Sequence, residues 1–372
     1  MNDRYNAPCL FGVEAILAGE LREMGALDVA AQNGRVRFSG GRELLARANL
    51  CSRYAERIQL LLGSFPARSF TELFDGVRAL PLEDYIGRRE AFPVKGWSLD
   101  SKLHSVPDCQ SIVKKAAAER LKQAYKVEWL EETGPALQLQ FAIHRDEASL
   151  YLDTSGEGLH KRGYRENSSV TAPLKETLAA ALVYLTRVYP DTKLYDPFCG
   201  SGTVLIEAAL LAQNIAPGLG RSFAAERYGM TPGGVFKEER ARALDLCKPG
   251  PEFEAFGSDI DSKAIELTEQ NARKAGVSKN IRVRRMDISA FEMPEGRAAV
   301  ITNPPYGERL LDVEQAEKLY KIMGEKFARG PGKRYGVISP HEAFEDFFGR
   351  AADKRRKLYN GMIRCQFYQY FK

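Results

Sequence analysis

The tetrapeptide Asn303-Pro304-Pro305-Tyr306 follows a short apolar run, residues 298–302, which predicts a buried strand. Proline cannot donate to a sheet ladder, so the two prolines end this strand and hold Asn303 in an extended conformation. The exocyclic amine of a nucleobase is a weak nucleophile, because its lone pair is delocalised into the ring. The Asn303 side-chain oxygen and the Pro304 carbonyl could hold such an amine in line for reaction. The Tyr306 ring could stack on a base turned out of its helix. The alternative is a simple turn after a core strand.

A glycine-rich loop, residues 195–203 (YDPFCGSGT), joins another predicted strand to a helix. Gly200 and Gly202 permit a tight turn and the close approach of a ligand, because neither has a Cβ atom. Asp196, at the strand end, is an acceptor for a ligand amine or hydroxyl. The loop lacks the lysine of a triphosphate-binding loop and the GxGxxG spacing of a dinucleotide-binding loop. A tight turn without a ligand is the alternative. Cys199 has no paired base, which favours packing over nucleophilic chemistry.

Acidic residues follow the next two predicted strands. Asp259 ends one strand, with Asp261 two residues further on, and Asp287 follows the other. A carboxylate at the end of the second strand is the usual partner of ribose hydroxyls in a parallel sheet. Asp287 is placed to accept from an adenine amino group. Each acid could instead cap a helix or turn. Together with Asp196 they indicate a small nucleoside-bearing cofactor lying across the sheet edge.

The elements that position these residues alternate between strand and helix. Strands are predicted at residues 193–196, 253–259, 281–285, 298–302 and 334–339, with helices at 203–213, 262–275 and 312–328. This alternation is typical of a doubly wound parallel sheet, whose ligands bind at the carboxyl ends of the strands. Asn360-Gly361, between two strand-like arms, predicts a C-terminal antiparallel hairpin. Residues 215–251 interrupt the alternation and predict an insertion with a helix at 235–246.

The first half of the chain is predicted to be α+β. Residues 8–20 predict a short strand that runs into a helix, and residues 41–62 predict a helix followed by an apolar strand. Strands are predicted at 26–32 and 35–39, joined by Asn33-Gly34, and helices at 71–85 and 107–125. Residues 91–94 and 137–154 alternate apolar and polar side chains and predict half-exposed strands of an antiparallel or mixed sheet. The glycine-rich, polar and basic residues 155–169 mark a domain boundary.

Composition excludes several classes of protein. The 372-residue chain has 44% hydrophobic and 28% charged residues, as globular proteins do. Residues 161–372 carry 34 Lys+Arg against 27 Asp+Glu, and residues 1–160 carry 20 against 22, so the basic second half is compatible with nucleic acid. The six cysteines form no CxxC pair and only four histidines are present, which disfavours zinc and disulfides and favours a reducing cytoplasm. No apolar run approaches the roughly 18 residues of a membrane span, and the N-terminus lacks signal-peptide features. A cytoplasmic protein without membrane or metal partners is expected.

The motifs carry a resemblance to a known family. DPFCGSGT (196–203), GSDID (257–261) and NPPYGERL (303–310) resemble, in this order and spacing, the S-adenosylmethionine-dependent amino-methyltransferases. Together with DTSGEGLHKRGYR (153–165) and APLKE (172–176), they are similar to the bacterial THUMP-domain RNA methyltransferases. Those enzymes modify guanine N2 in 23S ribosomal RNA, their archaeal and eukaryotic relatives modify guanine N2 in tRNA, and such sequences are easily mislabelled as DNA adenine methylases.

The resemblance implies a fold and a set of domains. The expected fold is a Rossmann-like class I methyltransferase sheet with an antiparallel C-terminal hairpin, preceded by an α+β region that binds RNA. The implied domains are a ferredoxin-like segment at 1–50, a THUMP domain at 51–155, a linker at 156–170 and a methyltransferase domain at 171–372.

The resemblance also implies the site residues. The catalytic motif falls on Asn303, Pro304, Pro305 and Tyr306. The residues implied to bind S-adenosylmethionine are Thr171, Pro173, Asp196, Pro197, Phe198, Cys199, Gly200, Ser201, Gly202, Thr203, Asp259, Ile260, Asp287, Ile288 and Asn303. Either Asp259 or Asp261 would bind the ribose.

Basic residues offer candidate RNA contacts. Lys161, Arg162, Tyr164 and Arg165 lie at the predicted joint between domains, where the alternative is a solvated linker. The basic run at 354–357 could contact RNA or protect an edge strand.

Three functional hypotheses follow. The first is methyl transfer to guanine N2 in structured RNA, in 23S ribosomal RNA rather than tRNA. The second is methylation of adenine N6 in DNA, which the same Asn-Pro-Pro-Tyr motif can serve. The third is a non-catalytic RNA-binding protein with a vestigial cofactor fold.

Overall fold

The computed structural model describes residues 2–165, 174–189, 191–248, 253–306 and 313–371. In these ranges, none of the helices combines the length and the apolar character that crossing a membrane requires.

The first half of the chain builds one seven-stranded sheet. Its strands are β1 (Asp3–Pro8), β2 (Leu27–Gln32), β3 (Arg35–Gly40), β4 (Gln59–Pro66), β5 (Val94–Leu99), β6 (Leu139–His144) and β7 (Glu147–Asp153). Their order is β2-β3-β1-β4-β7-β6-β5, with only β5 and β6 parallel. The predicted hairpin at Asn33-Gly34 is confirmed, and Gly34 adopts a positive φ of 70° there. Because β1 pairs with both β3 and β4, the predicted ferredoxin-like and THUMP segments share a continuous sheet.

Four helices accompany this sheet: α1 (Glu14–Glu23), α2 (Arg42–Cys51), α3 (Phe70–Arg78) and α4 (Val106–Tyr125). Two predicted elements here have wrong bounds. The strand expected at 91–94 begins at Val94, because Pro93 precedes it and cannot join a ladder as a donor. The helix expected to reach residue 85 ends at Arg78, shortly before Pro81, and a single 3₁₀ turn follows.

The second half builds the sheet that we call the catalytic sheet. Its strands are β8 (Lys193–Asp196), β9 (Ala255–Asp259), β10 (Ile281–Arg285), β11 (Ala298–Thr302), β12 (Lys333–Ser339), β13 (Lys354–Asn360) and β14 (Ile363–Tyr370). Their order is β10-β9-β8-β11-β12-β14-β13. The first five strands are mutually parallel, and β14 runs antiparallel to both β12 and β13. This confirms the predicted doubly wound sheet and its C-terminal hairpin.

Six helices belong to this half: α5 (Glu176–Thr186), α6 (Thr203–Ala212), α7 (Val235–Asp245), α8 (Ser262–Lys274), α9 (Val313–Lys326) and α10 (Phe344–Phe348). Helices α5 and α6 are apolar on almost every side, because both pack inside the core. The described part of the insertion contains α7 as predicted, and it contacts the first half: the Gly218 amide donates to the Leu50 carbonyl at 2.8 Å.

Candidate active site

The carboxyl ends of β8 and β11 meet, because these parallel strands are neighbours. The Thr302 hydroxyl donates to Asp196 Oδ1 at 2.8 Å, and the Phe198 amide donates to the same oxygen at 3.2 Å. Burial raises the pKa of the Asp196 carboxyl to about 7, although these two hydrogen bonds act in the opposite direction. A positively charged ligand group beside Asp196 would restore its ionised form.

The glycine loop between β8 and α6 is fixed by helix α8. Thr268 Oγ1 donates to the Gly200 carbonyl at 2.8 Å, and Asn271 Nδ2 donates to the Ser201 carbonyl at 2.9 Å. Gly202 has a φ of +78°, and a Cβ added there would lie 2.5 Å from Thr268 Cγ2. Gly200 also has a positive φ, but a Cβ added there would meet no heavy atom within 4 Å. The loop therefore packs at Gly202 and leaves room for a ligand at Gly200.

The other loop residues form the base of the site. Pro197, Ser201 and Thr203 are buried. Cys199 is also buried, and burial raises the pKa of its thiol far above the usual range. Its sulfur lies 3.9 Å from Thr268 Oγ1, so it packs as a neutral thiol, as the sequence favoured. Phe198 is half-buried against the aromatic core of the catalytic sheet.

The two acids after β9 differ in their contacts. The Asp261 carboxylate caps α8 by accepting from the Lys263 amide at 2.9 Å. Asp259 accepts from the Gly200 amide at 3.0 Å and from the Asp261 amide at 3.0 Å, so it faces the glycine loop. Between them, the Ile260 side chain is 62% exposed, an apolar surface suited to a base.

Asp287 follows β10 and caps a short 3₁₀ turn, accepting from the Ser289 amide at 2.8 Å. Hydrogen bonds from Ser289 lower the pKa of the Asp287 carboxyl, which keeps this exposed acceptor ionised. The neighbouring Ile288 is buried. The capping alternative is thus observed for Asp261 and Asp287, and both retain acceptor capacity for a ligand.

The elbow after β11, Asn303 to Tyr306, is held from two sides. The Tyr320 hydroxyl donates to the Pro305 carbonyl at 3.3 Å and lies 3.3 Å from Ser339 Oγ on β12. Asn360, at the end of β13, donates from Nδ2 to the Tyr306 hydroxyl at 3.0 Å. The Asn303 Oδ1 atom, in contrast, is buried and accepts no hydrogen bond from the described residues. A buried acceptor without a donor is costly, and at the end of β11 beside the glycine loop it is a candidate partner for a ligand donor.

The structure corrects part of the predicted RNA contact at the joint. Arg162 is buried, and its guanidinium donates to the Leu159 carbonyl at 2.7 Å and the Arg53 carbonyl at 2.6 Å. Tyr164 is buried as well, and its hydroxyl donates to Glu207 Oε1 at 3.1 Å. These two side chains join the halves of the protein and are not available to RNA.

The neighbouring residues of the joint differ. Lys161 is exposed and pairs with Glu157 at 3.2 Å. Arg165 is partly buried and reaches Glu176 at 3.0 Å and Thr203 Oγ1 at 3.4 Å, so it ties the joint to the start of α6. The predicted cofactor residues Thr171 and Pro173 lie outside the described residues.

Sequence reasoning missed several residues that position the site. They are Thr268, Asn271, Thr302, Tyr320 and Asn360. For two of them the sequence held a signal. Thr268 and Asn271 are polar, lie three residues apart in the predicted helix and so share its buried face, where polar side chains need hydrogen-bond partners.

A parallel sheet with one reversed strand, a glycine loop at its central strand and an amide-proline elbow beside it define a Rossmann-like methyltransferase. Residues 162–369 match the family described as "RMKL-like, methyltransferase domain", and the chain belongs to this family. Residues 4–59 match the RlmL ferredoxin-like domain and residues 67–153 the THUMP domain.

Curated relatives extend along nearly the whole chain. It is 42% identical to "Putative RNA methyltransferase YpsC" of Bacillus subtilis (strain 168), over 97% of this chain and 94% of that protein. It is 35% identical to "Ribosomal RNA large subunit methyltransferase K/L" of Syntrophotalea carbinolica, over 95% of this chain and 52% of that protein. The chain therefore spans about half the length of this second relative.

Solved structures share the entire architecture. A protein from Listeria monocytogenes, named "a predicted N6-adenine-specific DNA methylase", is 44% identical, covers 100% of this chain and 96% of its own, and has a TM-score of 0.94. "SMU.472, a putative methyltransferase complexed with SAH" is 39% identical, covers 100% of this chain and 98% of its own, and also has a TM-score of 0.94. The prediction of S-adenosylmethionine as the cofactor is confirmed by the family and by this complex.

Proposed function

We propose that this protein transfers a methyl group from S-adenosylmethionine to the exocyclic N2 of a guanine in structured RNA, specifically 23S ribosomal RNA. The observation that carries the proposal is Asn303 Oδ1, a buried acceptor without a donor on a rigid elbow beside the glycine loop. The match to a THUMP domain supports RNA as the substrate. The choice of guanine and of ribosomal RNA rests on the family resemblance and on the name of the K/L relative.

The strand ends supply matching partners for each part of the cofactor. We assign the ribose hydroxyls to Asp259 because it ends β9 and contacts the glycine loop through the Gly200 amide, whereas Asp261 lies two residues further on and caps α8. The Asp259 carboxylate would accept the hydroxyls with its remaining lone pairs. Asp196 would attract the cofactor ammonium, and Asp287 would accept from the adenine amino group. The exposed Ile260 side chain would pack against the adenine ring.

When bound, S-adenosylmethionine supplies an electrophilic methyl group. The chain's part is to present the guanine amine to it: Asn303 Oδ1 and the Pro304 carbonyl accept the two N–H bonds and align the lone pair. Tyr306, fixed by Asn360, offers a ring for stacking on the flipped base. The amine would form its new N–C bond as the bond from the sulfonium sulfur to the methyl group breaks, with S-adenosylhomocysteine as the leaving group. The methylated amine would then release a proton to water, so this step needs no side chain with a raised pKa.

Substitution of Asn303 tests this assignment. We expect Asn303→Ala to lower the methylation rate about 100- to 1,000-fold, because preorganised polar contacts to a reacting group contribute on that scale. Its affinity for S-adenosylhomocysteine, measured by calorimetry, should stay near that of the unsubstituted protein. Tyr306→Phe is a graded comparison: it keeps the stacking ring but loses the hydrogen bond from Asn360, so its rate should fall far less than that of Asn303→Ala. Methylation by Asn303→Ala at the full rate would refute the role of the amide.

The substrate is tested by mapping modified nucleotides in cells that lack the gene. Missing N2-methylguanosine in 23S ribosomal RNA supports the proposal, and its loss from tRNA would move the substrate to tRNA. The elbow and the name of the Listeria relative favour a second candidate, adenine N6 in DNA. Loss of N6-methyladenine from DNA would establish that candidate instead. A protein without affinity for S-adenosylhomocysteine would be a non-catalytic RNA-binding protein.

A further inference from the structure

A basic groove lies at the end of the catalytic sheet opposite the elbow. It has a volume of about 560 Å³ and lies where α5 ends, β12 begins and β14 ends. We define the basic groove by Tyr184, Arg187, Tyr189, Arg334, Lys354 and Arg356. A second cavity of about 170 Å³ shares Arg187, Tyr189 and Arg334 with the groove, so the two cavities are adjacent. The groove lies where β12 begins and the elbow lies at the carboxyl end of the neighbouring strand β11, so the length of the seven-residue strand β12, about 20 Å, gives the scale of their separation.

The cations of the groove are largely without carboxylate partners. Within the described ranges, Arg187, Arg334 and Lys354 form no ion pair, while Arg356 donates to the Gly12 carbonyl at 2.8 Å. Two acids that lie within two residues of the groove residues in sequence are engaged with other groups: Asp191 pairs with Arg297 at 2.6 Å, and the Asp353 carboxylate accepts from the Phe371 amide at 2.6 Å.

Unpaired cations around one cavity repel each other, and an anion between them would relieve that repulsion.

Aromatic rings accompany these cations. Tyr184 is 53% exposed and Tyr189 is 49% exposed. The Tyr184 ring meets the Tyr54 ring edge to face at 6.0 Å, which holds it in place. Cations that follow a phosphate backbone, combined with rings on which bases stack, are the usual surface for single-stranded nucleic acid.

Strand β13 connects the basic groove to the elbow. It begins at Lys354 in the groove and ends at Asn360, which donates to the Tyr306 hydroxyl. Lys354, Arg355 and Lys357 are exposed along this edge strand. Arg355 pairs with Glu345, whereas Lys354 and Lys357 form no ion pair with the described residues; the Lys357 ammonium lies 5.5 Å from the centre of the Tyr359 ring. The basic run, residues 354–357, therefore occupies the first half of this strand and leads from the basic groove toward the elbow.

We infer that the basic groove binds the phosphodiester backbone of the substrate RNA, several nucleotides away from the methylated base. A stacked strand advances about 3.4 Å per nucleotide, so the distance of about 20 Å corresponds to about six nucleotides. The inference rests on the proposed RNA substrate and adds a second RNA-binding surface, on the methyltransferase half itself.

The double variant Arg334→Ala/Lys354→Ala tests the groove, with Lys237→Ala/Lys279→Ala as a control that removes two exposed cations elsewhere. The probe is 23S ribosomal RNA transcribed in vitro, and binding is measured over a series of salt concentrations. The groove variant should bind about tenfold more weakly near physiological salt. The plot of the logarithm of the association constant against the logarithm of the salt concentration has a negative slope. The magnitude of this slope should fall by about 1.4 to 1.8, as expected for two lost phosphate contacts. The control should keep both values, and both variants should keep their melting temperature and their affinity for S-adenosylhomocysteine.

An unchanged slope and affinity in the groove variant would overturn the inference. Asn303→Ala separates this failure from failure of the proposed function, because it should lose methylation and keep the salt slope. In one outcome, the salt slope of the groove variant becomes smaller while the unsubstituted protein does not methylate the transcript. In that case the basic groove binds RNA as inferred, and the proposed substrate is wrong. If the unsubstituted protein methylates the transcript and the groove variant keeps the same salt slope, the inference about the basic groove is wrong and the proposed substrate is supported.

Discussion

Asn303 and Asp196 are buried acceptors at the ends of neighbouring strands, and both are costly in the free protein. Asn303 Oδ1 has no donor in the described structure, and burial raises the pKa of Asp196 to about 7. An unsatisfied buried polar group costs about 1–3 kcal/mol. Both costs are removed if a cationic cofactor and an amine substrate bind there, which explains why the free protein tolerates them.

The raised pKa of Asp196 predicts a pH-dependent affinity for cofactor. With a pKa of about 7, this carboxyl is mostly protonated at lower pH and ionised at higher pH. Only the ionised form attracts an ammonium group, so the affinity for S-adenosylhomocysteine should rise from about pH 6 to about pH 8 and then level off. Binding near neutral pH should also release a proton. Calorimetry in buffers of different ionisation enthalpy measures both effects.

Two substitutions give the pH experiment its controls. Asp196→Asn should bind about 10- to 100-fold more weakly above neutral pH and lose the pH dependence, because a charged hydrogen bond is worth about 1.5–3 kcal/mol. Asp287→Asn should weaken binding without changing the shape of the profile, since the pKa of Asp287 is lowered and its carboxylate stays ionised. A pH dependence that survives in Asp196→Asn would assign the titration to another group.

At the scale of elements, helix α8 is what makes the glycine loop a binding surface. Thr268 and Asn271 fix the loop from one side, and the close contact at Gly202 keeps the loop against the helix. At the open position, the Gly200 amide donates a hydrogen bond to the Asp259 carboxylate at 3.0 Å. The two glycines therefore serve different purposes, one for packing and one for access.

A pair of alanine substitutions separates these purposes. Gly202→Ala combines a left-handed backbone with a clash against Thr268 and should lower the free energy of unfolding by about 2–4 kcal/mol. Gly200→Ala meets no neighbouring atom, so the backbone conformation alone should cost about 1–2 kcal/mol. The methyl group of Gly200→Ala should, however, project into the cofactor space and weaken binding of S-adenosylhomocysteine. Urea denaturation and calorimetry measure the two effects. Equal losses of stability in both variants would contradict this division.

Sequence patterns predicted the residues of the site that are marked by their immediate neighbours. They did not predict the residues whose contacts depend on segments distant in the chain. Tandem prolines end β11, and Asp196 and Asp259 end strands, because each signal lies within a few residues. The C-terminal hairpin forms as predicted, but its turn is Gly361-Met362, because Asn360 still pairs with Ile363. Thr302, Tyr320 and Asn360 contact the elbow or Asp196 only after the strands are ordered in the sheet. Their roles depend on pairings between distant segments, which single-sequence patterns do not contain.

At the scale of the whole molecule, the joint between the halves is a buried polar network. The Arg53 side chain, from the first half, donates to the Ile215 carbonyl of the second half at 2.8 Å. The Arg162 side chain donates to the Arg53 backbone carbonyl at 2.6 Å. Glu56 pairs with Lys175 at 3.1 Å and accepts from Thr177 at 2.6 Å. Burial alone would raise the pKa of Glu56, but hydrogen bonds from His160 and Thr177 and the Lys175 charge lower it to about 2. Arg162 of the joint holds the two halves together. The basic composition of the joint did not indicate that the side chains of Arg162 and Tyr164 are buried.

Substitution at the joint distinguishes this structural role from RNA contact. Arg162→Ala removes the donor from three carbonyls and leaves Glu207, whose side chain lies 3.5 Å from Arg162, as a buried carboxylate without its cation. Removing one partner of a buried pair costs about 3–5 kcal/mol, so the urea midpoint should fall sharply. Lys161→Ala, one residue away and exposed, should change the free energy of unfolding by less than about 0.5 kcal/mol. A variant Arg162→Ala that keeps full stability and instead binds 23S ribosomal RNA more weakly would return this residue to the RNA-binding surface. The folded fraction of Arg162→Ala should bind that RNA with unchanged salt dependence, because a guanidinium enclosed by backbone carbonyls releases no counterion from the phosphates.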